Sequence, residues 1–148
     1  MILRLHKVNA QLVKLRAFPP LLARIAIGTV FFASGWIKTN HLSTVVSNFE
    51  RLGIPFAQVQ APFVASIELF GGGFLILGFL TRLVSIPLIV TMGVAIITAK
   101  WVTLAGATDL FGLSEFLYIV LLIWLIVGGP GPVSLDYLFF KRRLSDDS

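Results

Sequence analysis

The sequence predicts an all-α, polytopic membrane protein: a bundle of four transmembrane helices preceded by an N-terminal amphipathic helix at the interface. Three observations carry this. The chain is 57% hydrophobic over 148 residues, with a mean hydropathy of +0.93, well above the roughly 45–50% apolar content of soluble domains. Apolar runs recur at Leu21–Ile37, Phe63–Leu80, Leu83–Ala99 and Leu110–Val127, each close to the ~17–25 residues that cross a hydrocarbon core as a helix. The runs are continuous rather than alternating, and lipid gives the backbone no hydrogen-bond partner, so they read as helices and not as barrel strands. Residues 1–148 read as one domain.

The first element, over residues 2–18, places Leu5, Val8, Leu12 and Leu15 on one helical stripe, with Arg4, Lys7, Lys14 and Arg16 largely elsewhere. That is the pattern of a basic helix lying on a membrane surface. Pro19 and Pro20 end it and open span one, since a helix tolerates proline in its first turn. Ala33, Ser34 and Gly35 imitate a signal-peptide cleavage site, but the residues around them make better sense as a packed helix. The loop after span one should hold a short helix, with Ser43 as N-cap, Val45, Val46, Phe49 and Leu52 at helical spacing, and a stop at Gly53–Pro55.

Spans two and three are joined so briefly at "LTRLVSIP" that they must be antiparallel neighbours. Pro87 falls near the start of span three, Trp101 at its far interface, and Asp109 is placed to cap span four. A Gly-Pro turn ends span four, and Ser134 is placed to cap a helix in the tail at 128–148.

Lysine and arginine are unevenly distributed, and this orients the chain. Arg4, Lys7, Lys14 and Arg16 precede span one, Arg82 lies in the turn between spans two and three, and Lys141, Arg142 and Arg143 follow span four. By the positive-inside rule both termini are cytoplasmic in a multi-pass protein of the cytoplasmic membrane. The net charge of +5 therefore reads as anchoring to an anionic bilayer surface, not as nucleic-acid binding. With no cysteine, the chain has no thiolate for an iron–sulfur cluster or for disulfide exchange. His6 and His41 are expected on opposite sides of the membrane, which excludes a bis-histidine haem, and no metal site is predicted.

Two stripes carry chemistry. In span one Arg24, Gly28, Phe31, Gly35 and Lys38 fall within about 80° of arc. In span two Glu68, Gly71, Leu75, Gly78 and Arg82 do the same in the opposite order. Laid antiparallel, the helices bring Lys38 level with Glu68 near the outer end and Arg24 level with Arg82 about 21 Å away, with glycines between them for close approach.

Glu115 lies at a similar depth in span four, so Lys38, Glu68 and Glu115 are predicted to share one layer, with Tyr118 on the Glu115 face. One lysine against two carboxylates implies a shared proton. The layer has two readings: an ion pair that fixes helix register, or a site for a ligand or a proton. Arg24 and Arg82 read first as lipid-phosphate anchors. Thr91, Ala95 and Thr98 read as a small-residue packing stripe on span three.

The segments "RIAIGTVFFASGWIK", "LGIP", "ELFGGGFLILGFLTRLVSIPL", "SEFLYIVLLIWLIVGGPG" and "SLD" occur in this order from Arg24 to Asp136. Together they resemble the DoxX family of small four-span bacterial membrane proteins. The closing motif departs from the family pattern at Pro132, where a polar or basic residue is common. The resemblance implies the four-helix fold and, for bacterial members, quinone-linked redox chemistry at the membrane. Relatives include small subunits of thiosulfate:quinone oxidoreductase and partners in oxidative-stress complexes.

The resulting expectation is a membrane subunit of a quinone-linked oxidoreductase or oxidative-stress system. Lys38, Glu68 and Glu115 are the candidate catalytic residues, and Trp36, Tyr118, Arg24 and Arg82 the candidate cofactor-binding residues for a quinone. A redox partner protein would supply the electrons, and homo-oligomerisation is left open. The alternatives are a non-catalytic assembly or anchoring subunit and, third, a carrier for a small acid or a lipid.

Overall fold

A computed structural model describes residues 17–101, 104 and 106–139. The expected interfacial helix at 2–18, His6 and the basic end of the tail lie wholly or mainly outside the described residues. Within them every regular element is helical: α1 (Phe18–Asn40), α2 (Leu42–Arg51), α3 (Ala57–Leu77), α4 (Thr81–Ala95), α5 (Ala107–Gly112) and α6 (Ser114–Gly128). A wider-wound π turn, Ile96–Lys100, continues α4, and residues 135–139 form a last short helical stretch.

Among the described residues three helices are long and apolar enough to cross a membrane: α1 with 23 residues, α3 with 21, and α4 with its extension at 20. At 1.5 Å per residue these reach or exceed the ~30 Å hydrocarbon thickness. The expected fourth span at 110–127 is not continuous. It breaks at Leu113, whose backbone is extended, and leaves α6 as an apolar helix of 15 residues. Gly112 and Ser114 flank the break, and both are weaker helix formers than the leucines and isoleucines that follow.

Other boundaries move as well. Pro19 and Pro20 do open α1. Pro87, expected near the start of its span, falls inside α4, which begins at Thr81, and Pro62 falls likewise inside α3, which begins at Ala57. Each proline withholds one N–H from the helix ladder. Ser43 does not cap α2, which starts a residue earlier behind His41, and Asp109 lies in the first turn of α5 behind Gly106 rather than at its cap. Ser134 does cap the last stretch, its hydroxyl accepting from the Tyr137 N–H at 3.1 Å.

The core is a cluster of fully buried apolar residues drawn from four helices: Ile27 and Phe31 of α1, Leu75 of α3, Leu88 of α4, and Leu122 and Leu125 of α6. α1 packs most extensively on α3, and α4 on α6. In lipid there is no hydrophobic drive between helices, so the α1–α3 contact must come from close van der Waals fit. Its glycines supply that fit. A β-carbon at Gly28 would stand 2.8 Å from the Gly72 carbonyl oxygen, and one at Gly72 would stand 2.4 Å from the Phe32 nitrogen. Within the triplet Gly71–Gly73 the labour is divided, since Gly71 faces the Leu88 side chain of α4 instead.

Between α3 and α4 the chain turns in three residues, with Gly78 (φ 67°) and Leu80 (φ 48°) both left-handed. For leucine that conformation is strained. The tail secures it: Asp136 Oδ1 accepts from the Leu80 N–H at 2.7 Å, Oδ2 accepts from the Thr81 N–H at 3.0 Å, and the Asp136 N–H donates to the Gly78 carbonyl at 2.9 Å. The helical stripe predicted from Glu68 to Arg82 therefore ends at Gly78, and Arg82 belongs to α4.

Candidate functional site

Lys38 and Glu68 meet as the antiparallel stripes require. Lys38 Nζ lies 2.6 Å from both carboxylate oxygens of Glu68, and the Ser34 hydroxyl donates to Oε2 at 2.8 Å. Ser34 stands one helical turn before Lys38, so both donors reach the carboxylate from the same face of α1. Sequence reasoning missed Ser34; its signal was this i, i+4 spacing. Exposure is unequal: the glutamate side chain is 1% exposed and the lysine 29%. A bare carboxylate in hydrocarbon costs several kcal/mol, and here three hydrogen bonds answer it.

The pair sits in the wall of a cavity of about 480 Å³, within the range of small-molecule sites. Ile67 and Phe63 of α3 and Val90 and Thr91 of α4 line its flanks, and Phe49 and Leu52 close over it from the α2 segment. The lining is almost wholly apolar apart from Lys38, Glu68, Gln60, Thr91 and Thr98. Thr91, Ala95 and Thr98, expected as a packing stripe, are thus cavity wall. Both threonine hydroxyl protons are engaged, on the Leu88 and Val94 carbonyls at 2.8 Å. The short helix expected in the loop after span one thus contributes Phe49 of its apolar stripe to this cavity.

The predicted three-membered layer is not assembled. Glu115 is bonded to the Ser114 hydroxyl at 3.1 Å, and among the described residues no hydrogen bond or ion pair joins it to Lys38 or Glu68. The break at Leu113 resets the start of α6, so the depth inferred for Glu115 from a continuous span does not hold. The pair is one to one, and the surplus carboxylate behind the expected shared proton is missing. Tyr118 packs its ring on Phe31, 6.0 Å between centroids, beside the core cluster. Trp36 is 59% exposed and is not part of the cavity lining.

At the other end of α1, Arg24 is 1% exposed, which rules out the lipid-phosphate role expected for it. Its Nη2 donates to the Val133 carbonyl, its Nη1 lies against Gly78, and Asp136 supplies the opposite charge nearby. Arg24 and Asp136 so tie the Gly131–Tyr137 segment to the α3–α4 turn. Arg82 does not meet Arg24. It is exposed, lies along Gly129, and lines a second cavity of about 640 Å³ with Leu83, Pro130, Asp136 and Tyr137.

Comparison with known proteins adds to this geometry. The DoxX family pattern matches residues 20–101. A Bacillus subtilis protein named "Putative oxidoreductase CatD" is 33% identical, over 83% of this chain and 88% of its own. An uncharacterized membrane protein of Mycobacterium tuberculosis is 32% identical over 80% of each chain. The Escherichia coli "Inner membrane protein YqjF" is 31% identical, over 87% of this chain and 98% of its own. No solved structure matches the chain.

Proposed function

The chain belongs to the DoxX family, and on that premise we propose that it is a membrane-embedded subunit of a quinone-linked oxidoreductase system. The Lys38–Glu68 pair meets the quinone head, and the apolar cavity holds the tail. One observation carries this reading: a buried, hydrogen-bonded carboxylate and its lysine form the charged point of an otherwise uncharged and mostly apolar cavity of about 480 Å³. That is the arrangement an amphiphile with a small polar head requires. The name of the Bacillus subtilis relative points to the same class of reaction. The chain has no cysteine to carry electrons through a thiol or cluster, so a partner protein delivers them.

In this reading α6 is the fourth crossing. Its 15 residues give about 22 Å. Both termini face the cytoplasm of a bacterial cell, and Lys38 and Glu68 lie in the outer half of the bilayer. The test is direct binding of a short-tailed quinone to purified protein in nanodiscs. Saturable binding that Glu68→Gln weakens supports the proposal, and absence of binding by well-folded protein defeats it.

A second reading has its own observation. The Glu68 carboxylate is already satisfied by Lys38 and Ser34, which suits an ion pair that only specifies helix register in an assembly subunit. If a Lys38→Met/Glu68→Gln double variant folds and supports full quinone-dependent activity in cells, this second reading holds.

A further inference from the structure

We infer that the second cavity, at the Arg82 end of the molecule, binds the phosphate of an anionic phospholipid, with the Arg82 guanidinium as its charged contact. This site is separate from the Lys38–Glu68 cavity and does not depend on the quinone reading. It measures about 640 Å³. Its walls come from distant parts of the chain: Leu80 in the α3–α4 turn, Arg82 and Leu83 at the start of α4, the 129–132 loop behind α6, and Tyr137 of the last helical stretch. A bound headgroup would therefore bridge α4 and the tail segment.

Charge is the first ground. Two charged residues line the cavity, Arg82 and Asp136. The Asp136 carboxylate accepts the Leu80 and Thr81 N–H groups and has the buried Arg24 as its counter-charge. Arg82 is exposed and, among the described residues, forms no hydrogen bond or ion pair. Arg24 and Arg82 against Asp136 leave one positive charge, and it belongs to the arginine in the cavity wall. Shape agrees with this. Gly129 is left-handed, φ 80°, and a β-carbon there would stand 3.2 Å from Arg82 Nη2. The bare glycine thus lets the guanidinium lie along the loop backbone. A guanidinium offers parallel N–H donors to two oxygens of one phosphate, and the phenol of Tyr137, in the same lining, can donate to a third.

Position separates a lipid from a soluble anion. α3 ends at Leu77, and α4 with its extension, long enough to cross a bilayer, begins at Thr81. Arg82 therefore stands where spans meet the headgroups. Leu80 and Leu83 are exposed beside it, and Pro130 and Pro132 add apolar wall without an N–H. Such a surface is favourable against glycerol and acyl carbons and unfavourable against water. Net charge then selects among lipids. Phosphatidylglycerol, with one negative charge, neutralises the uncompensated arginine, whereas a zwitterionic lipid leaves the balance unchanged.

The experiment titrates purified full-length protein in a nonionic detergent with dioleoyl phosphatidylglycerol, dioleoyl phosphatidylethanolamine and inorganic phosphate, and counts bound lipid by native mass spectrometry. Phosphatidylglycerol should bind about fivefold more tightly than phosphatidylethanolamine, and millimolar phosphate should not displace it. Arg82→Gln alters an exposed residue with no bond to break, so it should keep the lipid-free unfolding temperature and erase the preference. Arg82→Lys should retain part of it, having the charge without the planar fork. Arg51→Gln, at an exposed arginine of α2 outside the cavity, should leave the preference intact. Equal binding of the two lipids to the wild type, or an equal loss of preference in Arg51→Gln and Arg82→Gln, overturns the inference. Displacement of the lipid by phosphate overturns it too, since the site would then serve a soluble anion.

Discussion

Gly35 and Leu69 touch backbone to backbone: a β-carbon on Gly35 would stand 2.3 Å from the Leu69 nitrogen and 2.6 Å from its Cα. Neither atom can move without moving α3. Gly35→Ala must therefore push the helices apart about one turn from Lys38, and overpacking of this kind costs about 1–3 kcal/mol. Gly72→Ala should behave alike, since its β-carbon would meet the Phe32 backbone at 2.4 Å. Gly73→Ala is the control, its nearest contact being the Phe32 ring at 3.7 Å. We expect lower unfolding temperatures and less monodisperse protein for the first two variants, with Gly73→Ala at or above wild type. Wild-type behaviour of Gly35→Ala would show that the helices are not in contact as described.

Asp136 should matter more than its place near the chain end suggests. Its carboxylate takes the Leu80 and Thr81 N–H groups and holds a left-handed leucine. Asp136→Ala removes two charge-assisted hydrogen bonds, each contributing about 1.5–3 kcal/mol. Asp136→Asn keeps one acceptor oxygen and should fall between. Hydrogen exchange provides the readout: the Leu80 and Thr81 amides should lose protection while those of α1 keep theirs. Unchanged protection in Asp136→Ala would remove the tail from the account of this turn.

What the sequence disclosed and what it hid divide along physical lines. Helical periodicity places Lys38 against Glu68 because both helices run unbroken through those residues. Glu115 was misplaced because nothing in the apolar pattern marks the extended backbone at Leu113, and one non-helical residue rotates all that follows. Arg24 looked like an interfacial anchor because it stands near the end of its span, where long basic side chains snorkel to the surface; instead it reaches the Val133 carbonyl, 109 residues away. The cavity was invisible since it is an absence of packing between α2, α3 and α4, and its threonines read equally well as contacts.

The ion pair should break asymmetrically. Lys38→Met leaves a carboxylate that is 1% exposed without its cation, a loss of about 3–5 kcal/mol. Glu68→Gln leaves a lysine that is partly exposed and can extend its ammonium toward a polar surface, so it should cost less. The double variant should recover most of the loss, and Ser34→Ala should cost about 1 kcal/mol. Thermal unfolding of the four proteins in one detergent checks the order. Equal losses for the two single variants would mean that Glu68 is not buried.

Orientation can be read directly, because the chain has no cysteine to remove. Ser43→Cys, on the exposed side of α2, should react with an impermeant maleimide added outside spheroplasts. Ser145→Cys, beyond the described residues, should react after lysis alone. The reverse pattern would invert the topology and put the Lys38–Glu68 pair on the cytoplasmic side.

Ala95 offers a way to close the cavity without touching its polar end. It is half-buried on α4 and lines the cavity together with Thr91 and Thr98, apart from the Lys38–Glu68 pair. In Ala95→Phe the ring enters space that is empty, so no packed neighbour is displaced and the unfolding temperature should stay within a few degrees of wild type. Quinone binding should fall at least about tenfold, the equivalent of ~1.4 kcal/mol. Asp109→Asn, on α5 and outside the cavity lining, is the matched control and should leave binding unchanged. Full quinone affinity in a folded Ala95→Phe protein would place the tail outside this cavity. Loss of binding with the thermal transition intact would separate the cavity's role in binding from its role in packing, a distinction that variants of the ion pair cannot draw alone.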